Sequence, residues 1–137
     1  MYELGKRSME RLTGVHGDLQ AVVHEAISIT GQDFSVIEGV RTVERQIEMI
    51  ESFLSEIPRD KPETGKHVQG RAVDIIPYSK DWQGLSWDDI PRDAWCAMGH
   101  AMRVAGLRLG VPIRWLALES YGGHSKFSHD AAHFELF

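Results

Sequence analysis

Asp74 stands in the middle of an otherwise apolar run, Ala72–Pro77 (AVDIIP), and a fold that buries such a run must also provide for its charge. Alternation along a strand puts Ala72, Asp74 and Ile76 on one face. An unpaired carboxylate in apolar surroundings costs several kcal/mol or takes up a proton, so a cation, metal or arginine, is expected beside it. Near the C-terminus, residues 132–137 also read as a strand, with His133 and Glu135 on one face and Phe134 and Leu136 on the other. Two strands that each carry ligand-type residues on one face can converge on a single ion.

His67, in the segment KHVQGRAVD at 66–74, completes a candidate ligand set of His67, Asp74 and His133, with Asp130 as a spare carboxylate. Catalytic zinc keeps three protein ligands and an open position for water, whereas structural zinc closes all four, usually with several cysteines. The only cysteine is Cys96, so a closed thiolate site is excluded. Taken alone, His67 and Asp74 have a spacing that arises by chance in many chains, and a lone histidine is more often a surface or hydrogen-bonded residue than a ligand. The pair gains weight in company with the second segment. The zinc-peptidase helix motif HExxH is absent: His24-Glu25 begins it, but position 28 is Ser28, and the near miss reads as ordinary helix surface.

At 137 residues the chain reads as one domain, 1–137, large enough to bury most of its apolar surface without disulfides or metal staples. A hydrophobic share of 42% with no long apolar run argues against a membrane span. The first residues lack the charged start, apolar stretch and cleavage site of a secretory signal, so residence in a cytoplasm is expected. A net charge of −5 argues against a nucleic-acid binder relying on a broad basic surface, and recognition should depend on local groups in a cleft.

The elements alternate between helix and strand. Residues 18–29 place Leu19, Val22, Val23, Ala26 and Ile27 at helical spacing. Residues 34–40 read as a strand, and Thr42 offers an N-cap to a helix carrying Val43, Ile47, Ile50 and Leu54 along one side, which puts Arg41 at a strand-to-helix junction. Residues 57–66, with Pro58, Pro62 and Gly65, read as a loop. Residues 88–109 read as mostly a long helix, 111–118 as a strand and 120–129 as a loop that delivers Asp130. Helices followed by a small, largely antiparallel sheet predict a single compact α+β domain. Asp130 and His133 are three apart, so a turn rather than a continuous strand must bring both inward. Tyr78, Trp82 and Trp87 could wall a cleft, although core packing is the expected use of at least two of them.

The segment 66–74 resembles the SxHxxGxAxD signature of the zinc D-alanyl-D-alanine carboxypeptidase and L-alanyl-D-glutamate endopeptidase family, and DAAHFEL at 130–136 resembles its second signature. Glu38-Gly39-Val40-Arg41-Thr42 followed by Arg45-Gln46 resembles its substrate-arginine segment. Leu12-Thr13-Gly14-Val15-His16 with Asp18-Leu19 is similar to the start of its phage endolysins, and Tyr121-Gly122-Gly123-His124 sits where many of those carry Trp-Gly-Gly-Asp. The resemblance covers nearly the whole chain. Gly65 departs from the usual serine, whose hydroxyl is then missing or supplied by Thr64; His124 replaces the common aspartate, and Phe127 is one place from the family's aromatic.

The resemblance implies a zinc peptidase. His67, Asp74 and His133 would hold Zn²⁺, which lowers the pKa of a bound water and polarises the scissile carbonyl. Asp130 would be the general base, with a fourth ligand as its alternative role. Arg41 would bind a substrate carboxylate or the oxyanion, its alternative being a surface ion pair. Gln46 and His124 would contact substrate, and His129 could do so or simply be solvated. Glu135 is either an acceptor for a ligand imidazole or an exposed residue. The implied activity is cleavage of the L-alanyl-D-glutamate bond of the peptidoglycan stem peptide in phage lysis. The enzyme is expected to be a monomer held in the host cytoplasm until a holin releases it to the wall in the periplasm. The alternatives are a D-alanyl-D-alanine carboxypeptidase and a non-catalytic zinc-containing binding module.

Overall fold

The stripe Leu19, Val22, Val23, Ala26 and Ile27 forms the buried face of helix α2 (Gly17–Ile29), which follows a short helix α1 (Lys6–Arg11). The computed structural model describes residues 1–52, 65–118 and 127–137. Expectations for Leu54, Thr64 and His124 lie outside those residues. Strand β1 (Phe34–Glu38), helix α3 (Val43–Glu51), strand β2 (Ala72–Pro77), helix α4 (Arg92–Leu109), strand β3 (Ile113–Trp115), helix α5 (Phe127–Ala132) and strand β4 (His133–Leu136) complete the order. The strands form one antiparallel sheet in the order β1-β2-β4-β3, so the expected α+β class with its antiparallel sheet is what the chain adopts.

Register gives the sheet two chemically different faces. Val73, Phe134 and Trp115 are aligned across β2, β4 and β3 and are buried in the core, where Trp115 stacks on Phe134. One residue along, Glu38, Asp74 and His133 are aligned across β1, β2 and β4. The period of two along each strand therefore separates core from polar row. Helix α4 contacts α2 as well as β2 and β3, and inserts Trp95, Met98 and Met102 into the core.

Several expected boundaries shift, each for a local reason. The helix expected over 88–109 begins only at Arg92, because Pro91 holds Ile90 in extended backbone and separates a 3₁₀ turn at Trp87–Asp89 from α4. The strand expected over 111–118 is confined to Ile113–Trp115, because the chain turns into a 3₁₀ turn at Leu116–Leu118 before it can pair with His133, the first residue of β4. The strand expected over 34–40 ends at Glu38. The loop expected over 120–129 has already become α5 at Phe127, so Asp130 is carried on a helix and the strand begins at His133 rather than at 132. Thr42 caps α3 as expected, its side chain accepting from the Arg45 N–H at 3.0 Å. The inward face of α3 is nevertheless not the expected stripe: Gln46 is 0% exposed and Ile50 6%, while Val43 and Ile47 are 37% and 39% exposed. Helix α3 is turned so that the Gln46 amide meets buried Arg41 rather than so that its apolar side chains are covered.

Candidate metal centre and active site

The segment 66–74 positions its two ligand-type residues by a helix-ending device followed by a strand. The Arg71 N–H donates to the Lys66 carbonyl at 2.8 Å and the Gly70 N–H to the His67 carbonyl at 3.2 Å, with Gly70 at φ +69°. This is the Schellman pattern, and it needs a residue that tolerates left-handed backbone. A Cβ on Gly70 would also lie 2.9 Å from the Gly14 carbonyl oxygen. The chain leaves this turn into β2, where Asp74 lies opposite His133.

His67 Nε2 lies 3.1 Å from Asp74 Oδ1, and His133 Nδ1 lies 3.2 Å from the same oxygen. The remaining ring nitrogens are committed elsewhere: His67 Nδ1 donates to the Gly39 carbonyl at 2.8 Å, and His133 Nε2 donates to Glu135 Oε1 at 2.8 Å. Both rings therefore turn their other nitrogen toward Asp74. Among the described residues, one ligand atom from each of His67, Asp74 and His133 lies within 4.8 Å of the others. Bonds of about 2.1 Å to a tetrahedral ion put neighbouring ligand atoms about 3.4 Å apart, so the donor set and its spacing fit zinc. The second contacts, Gly39 O and Glu135, fix ring orientation in the manner usual for ligating histidines.

Electrostatics ties this row together. Burial alone would raise the Asp74 pKa, but the neighbouring His67 and hydrogen bonds from His133 and His67 outweigh it and hold the carboxyl well below the usual carboxylate range. Burial opposes charge on His133 too, yet its hydrogen bonds to Asp74 and Glu135 prevail and push its pKa up to about 9. Glu135 is in turn held low, the desolvation that would raise it being outweighed by His133, Lys66 and Arg114.

Arg41 is 7% exposed, and its guanidinium is set among protein groups. Nε and Nη2 donate to the two carboxylate oxygens of Glu38 at 2.8 and 2.9 Å, and Nη1 donates to Gln46 Oε1 at 2.6 Å. Nη2 also lies 4.0 Å from Asp74 Oδ2. Arg41 and Gln46, expected near the substrate, thus sit together beside Asp74. Glu38 received no role from the sequence, although it stands three residues before Arg41; the bulge that aims it at Asp74 leaves no signature in composition.

Asp130 is half-buried on α5, one helical turn before His133, and is not a member of the metal-ligating group among the described residues. Helix α5 is fixed by the Trp115 indole N–H, which donates to the Ala131 carbonyl at 2.9 Å, and by Ser128, whose hydroxyl donates to Asp88 at 2.7 Å. His129 is exposed and meets Trp87 edge-on. Trp82 and Trp87 pack against the core while Tyr78 is exposed, in line with core packing for two of the three. His24 is an exposed helix residue and Glu25 pairs with Arg108, so the near-miss HExxH is helix surface.

Comparison with known proteins identifies the family. The whole chain, residues 1–137, matches the family model described as phage L-alanyl-D-glutamate peptidase. The L-alanyl-D-glutamate peptidase of Escherichia phage T5 is 32% identical over 143 residues, covering 98% of this chain and 98% of its own. The crystal structure of the Serratia marcescens L-Ala D-Glu endopeptidase ChiX is similar with a TM-score of 0.74 and 32% identity, over 98% of this chain and 90% of that one.

Proposed function

The chain belongs to the phage L-alanyl-D-glutamate peptidase family, and from that membership we propose that it is a zinc-dependent endolysin that hydrolyses the L-alanyl-D-glutamate bond of the peptidoglycan stem peptide. The observation that carries the metal part is the convergence of His67 Nε2, Asp74 Oδ1 and His133 Nδ1, with each ring's other nitrogen already hydrogen-bonded. His67, Asp74 and His133 would hold zinc, which when bound would supply an acidified water and a Lewis acid for the scissile carbonyl. Asp130 takes the proton from the attacking water and returns it to the leaving amine. Its place one turn before His133, outside the ligand group, favours this use over a fourth ligand. Arg41 meets the polar groups of the substrate from the β1 side, Gln46 holds its guanidinium from the buried side, and His124 is proposed as a further substrate contact.

The stem peptide is the proposed partner, and the enzyme acts as a monomer. Among the described residues no helix is long and apolar enough to cross a membrane. Passage from the host cytoplasm to the wall in the periplasm is assigned to a separate membrane-permeabilising protein such as a holin.

Mass analysis of digested muropeptides tests the reaction. New free amino termini on D-glutamate, abolished by a chelator and restored by zinc, are expected; loss of single terminal D-alanines would instead make the protein a carboxypeptidase. Asp130→Ala should keep about one zinc per chain and lose roughly 10²–10⁴-fold in kcat, the usual share of a general base. Unchanged turnover would remove Asp130 from that role. His67→Ala should lose the metal.

A further inference from the structure

Strand β1 is irregular where it meets the metal row. Val36 lies opposite Ile75 and Glu38 opposite Asp74, so Ile37 is an extra residue in β1. In a regular ladder Ile37 would face Asp74 and Glu38 would point to the other side of the sheet. The bulge thus places a second carboxylate beside Asp74, an arrangement that like charges resist unless a cation lies between them. Arg41 is that cation, and the two carboxylates do not share it equally: Glu38 accepts both of its fork hydrogen bonds, at 2.8 and 2.9 Å, while Asp74 Oδ2 is 4.0 Å away.

We infer that Glu38 is a positioning residue: by gripping Arg41 with both carboxylate oxygens it keeps the guanidinium from closing on Asp74, and so sets how tightly the His67, Asp74 and His133 group holds its ion. The inference rests on the metal reading above. Guanidinium and carboxylate prefer a two-bond fork, and among the described residues an Arg41 released from Glu38 has the Asp74 carboxylate within reach. A fork on Asp74 would occupy the oxygen that faces both imidazoles. The charge of Glu38 acts in the same direction: paired with Arg41, it cancels the positive charge that otherwise opposes a divalent cation nearby. The fork, which is the larger effect, does not survive without Arg41, and this gives the inference its test.

Zinc dissociation constants are measured by chelator competition on the metal-stripped full-length protein for wild type, Glu38→Gln, Arg41→Gln and the double variant, with circular dichroism to confirm folding. Glu38→Gln should weaken zinc binding about 10–100-fold, the range typical of residues that support a ligand. With Arg41→Gln already present, the same change should alter it less than about threefold, because the interaction runs through Arg41. If Glu38→Gln does not fold, the cycle is run with Glu38→Asp, whose shorter arm cannot hold both guanidinium nitrogens. Equal weakening in both backgrounds, or no weakening in either, overturns the inference and leaves the zinc peptidase intact. A wild-type chain that binds no zinc overturns the metal reading itself, and the inference with it.

Discussion

A hydrogen atom is the largest side chain that position 39 can hold. A Cβ on Gly39 would lie 2.0 Å from the Arg11 carbonyl oxygen and 2.9 Å from Val15 Cγ2, so backbone would have to move. That backbone includes the Gly39 carbonyl, which accepts from His67 Nδ1, and Arg41, whose N–H donates to the His67 carbonyl at 3.0 Å. Gly39→Ala should therefore cost roughly 1–3 kcal/mol in chemical denaturation, as overpacking does. It should also weaken zinc binding by about tenfold or more through the released imidazole. Full zinc affinity in the destabilised variant would show that the carbonyl does not hold His67. The grouping of His67, Asp74 and His133 was legible in the sequence, because Asp74 in an apolar run announces a need for a cation. The groups that orient them were not, since a backbone carbonyl such as Gly39 O has no residue type of its own.

At the scale of elements, what the sequence showed depended on whether apolar burial decided the matter. Helix α2 follows its stripe residue for residue because its whole inward face is aliphatic. Helix α3 does not, since its inward position 46 is a glutamine chosen by a buried guanidinium. Helix α5 was hidden because its six residues carry only one short turn of pattern and are held by contacts remote in sequence. The bond from Trp115 to Ala131 is the most informative of these, as it ties β3 to the turn between Asp130 and His133. Trp115→Phe keeps an aromatic ring to stack on Phe134 and removes that bond. A loss of about 1–3 kcal/mol is expected from the unsatisfied carbonyl, together with a fall in kcat at saturating zinc as α5 loses its anchor. Loss of stability with kcat unchanged would make Trp115 a core residue and nothing more.

For the whole molecule, one sheet serves as both scaffold and titrating device, because the row on its polar face shares protons and, in the proposed function, a metal as well. Without the ion, His133 has its pKa raised from 6.5 to about 9 by Asp74 and Glu135 against the opposing effect of burial. A raised pKa adds stability that is complete below the unfolded value and is lost as pH climbs through the folded one. The metal-free protein should thus lose this contribution between pH 6.5 and about 9. Asp74 is shifted downward, so its contribution is present above the ordinary carboxylate range and lost only in acid, outside that window. The proposed zinc would need His133 Nδ1 unprotonated, and its binding would expel the proton that the metal-free row retains. The two effects have opposite signs in the same interval: alkaline pH loosens the empty row and favours the filled one. Melting temperatures measured in parallel with buffered zinc and with chelator should accordingly diverge as pH rises from 6.5 toward 9. A gap that stays constant across that interval would mean that His133 does not exchange its proton for the metal.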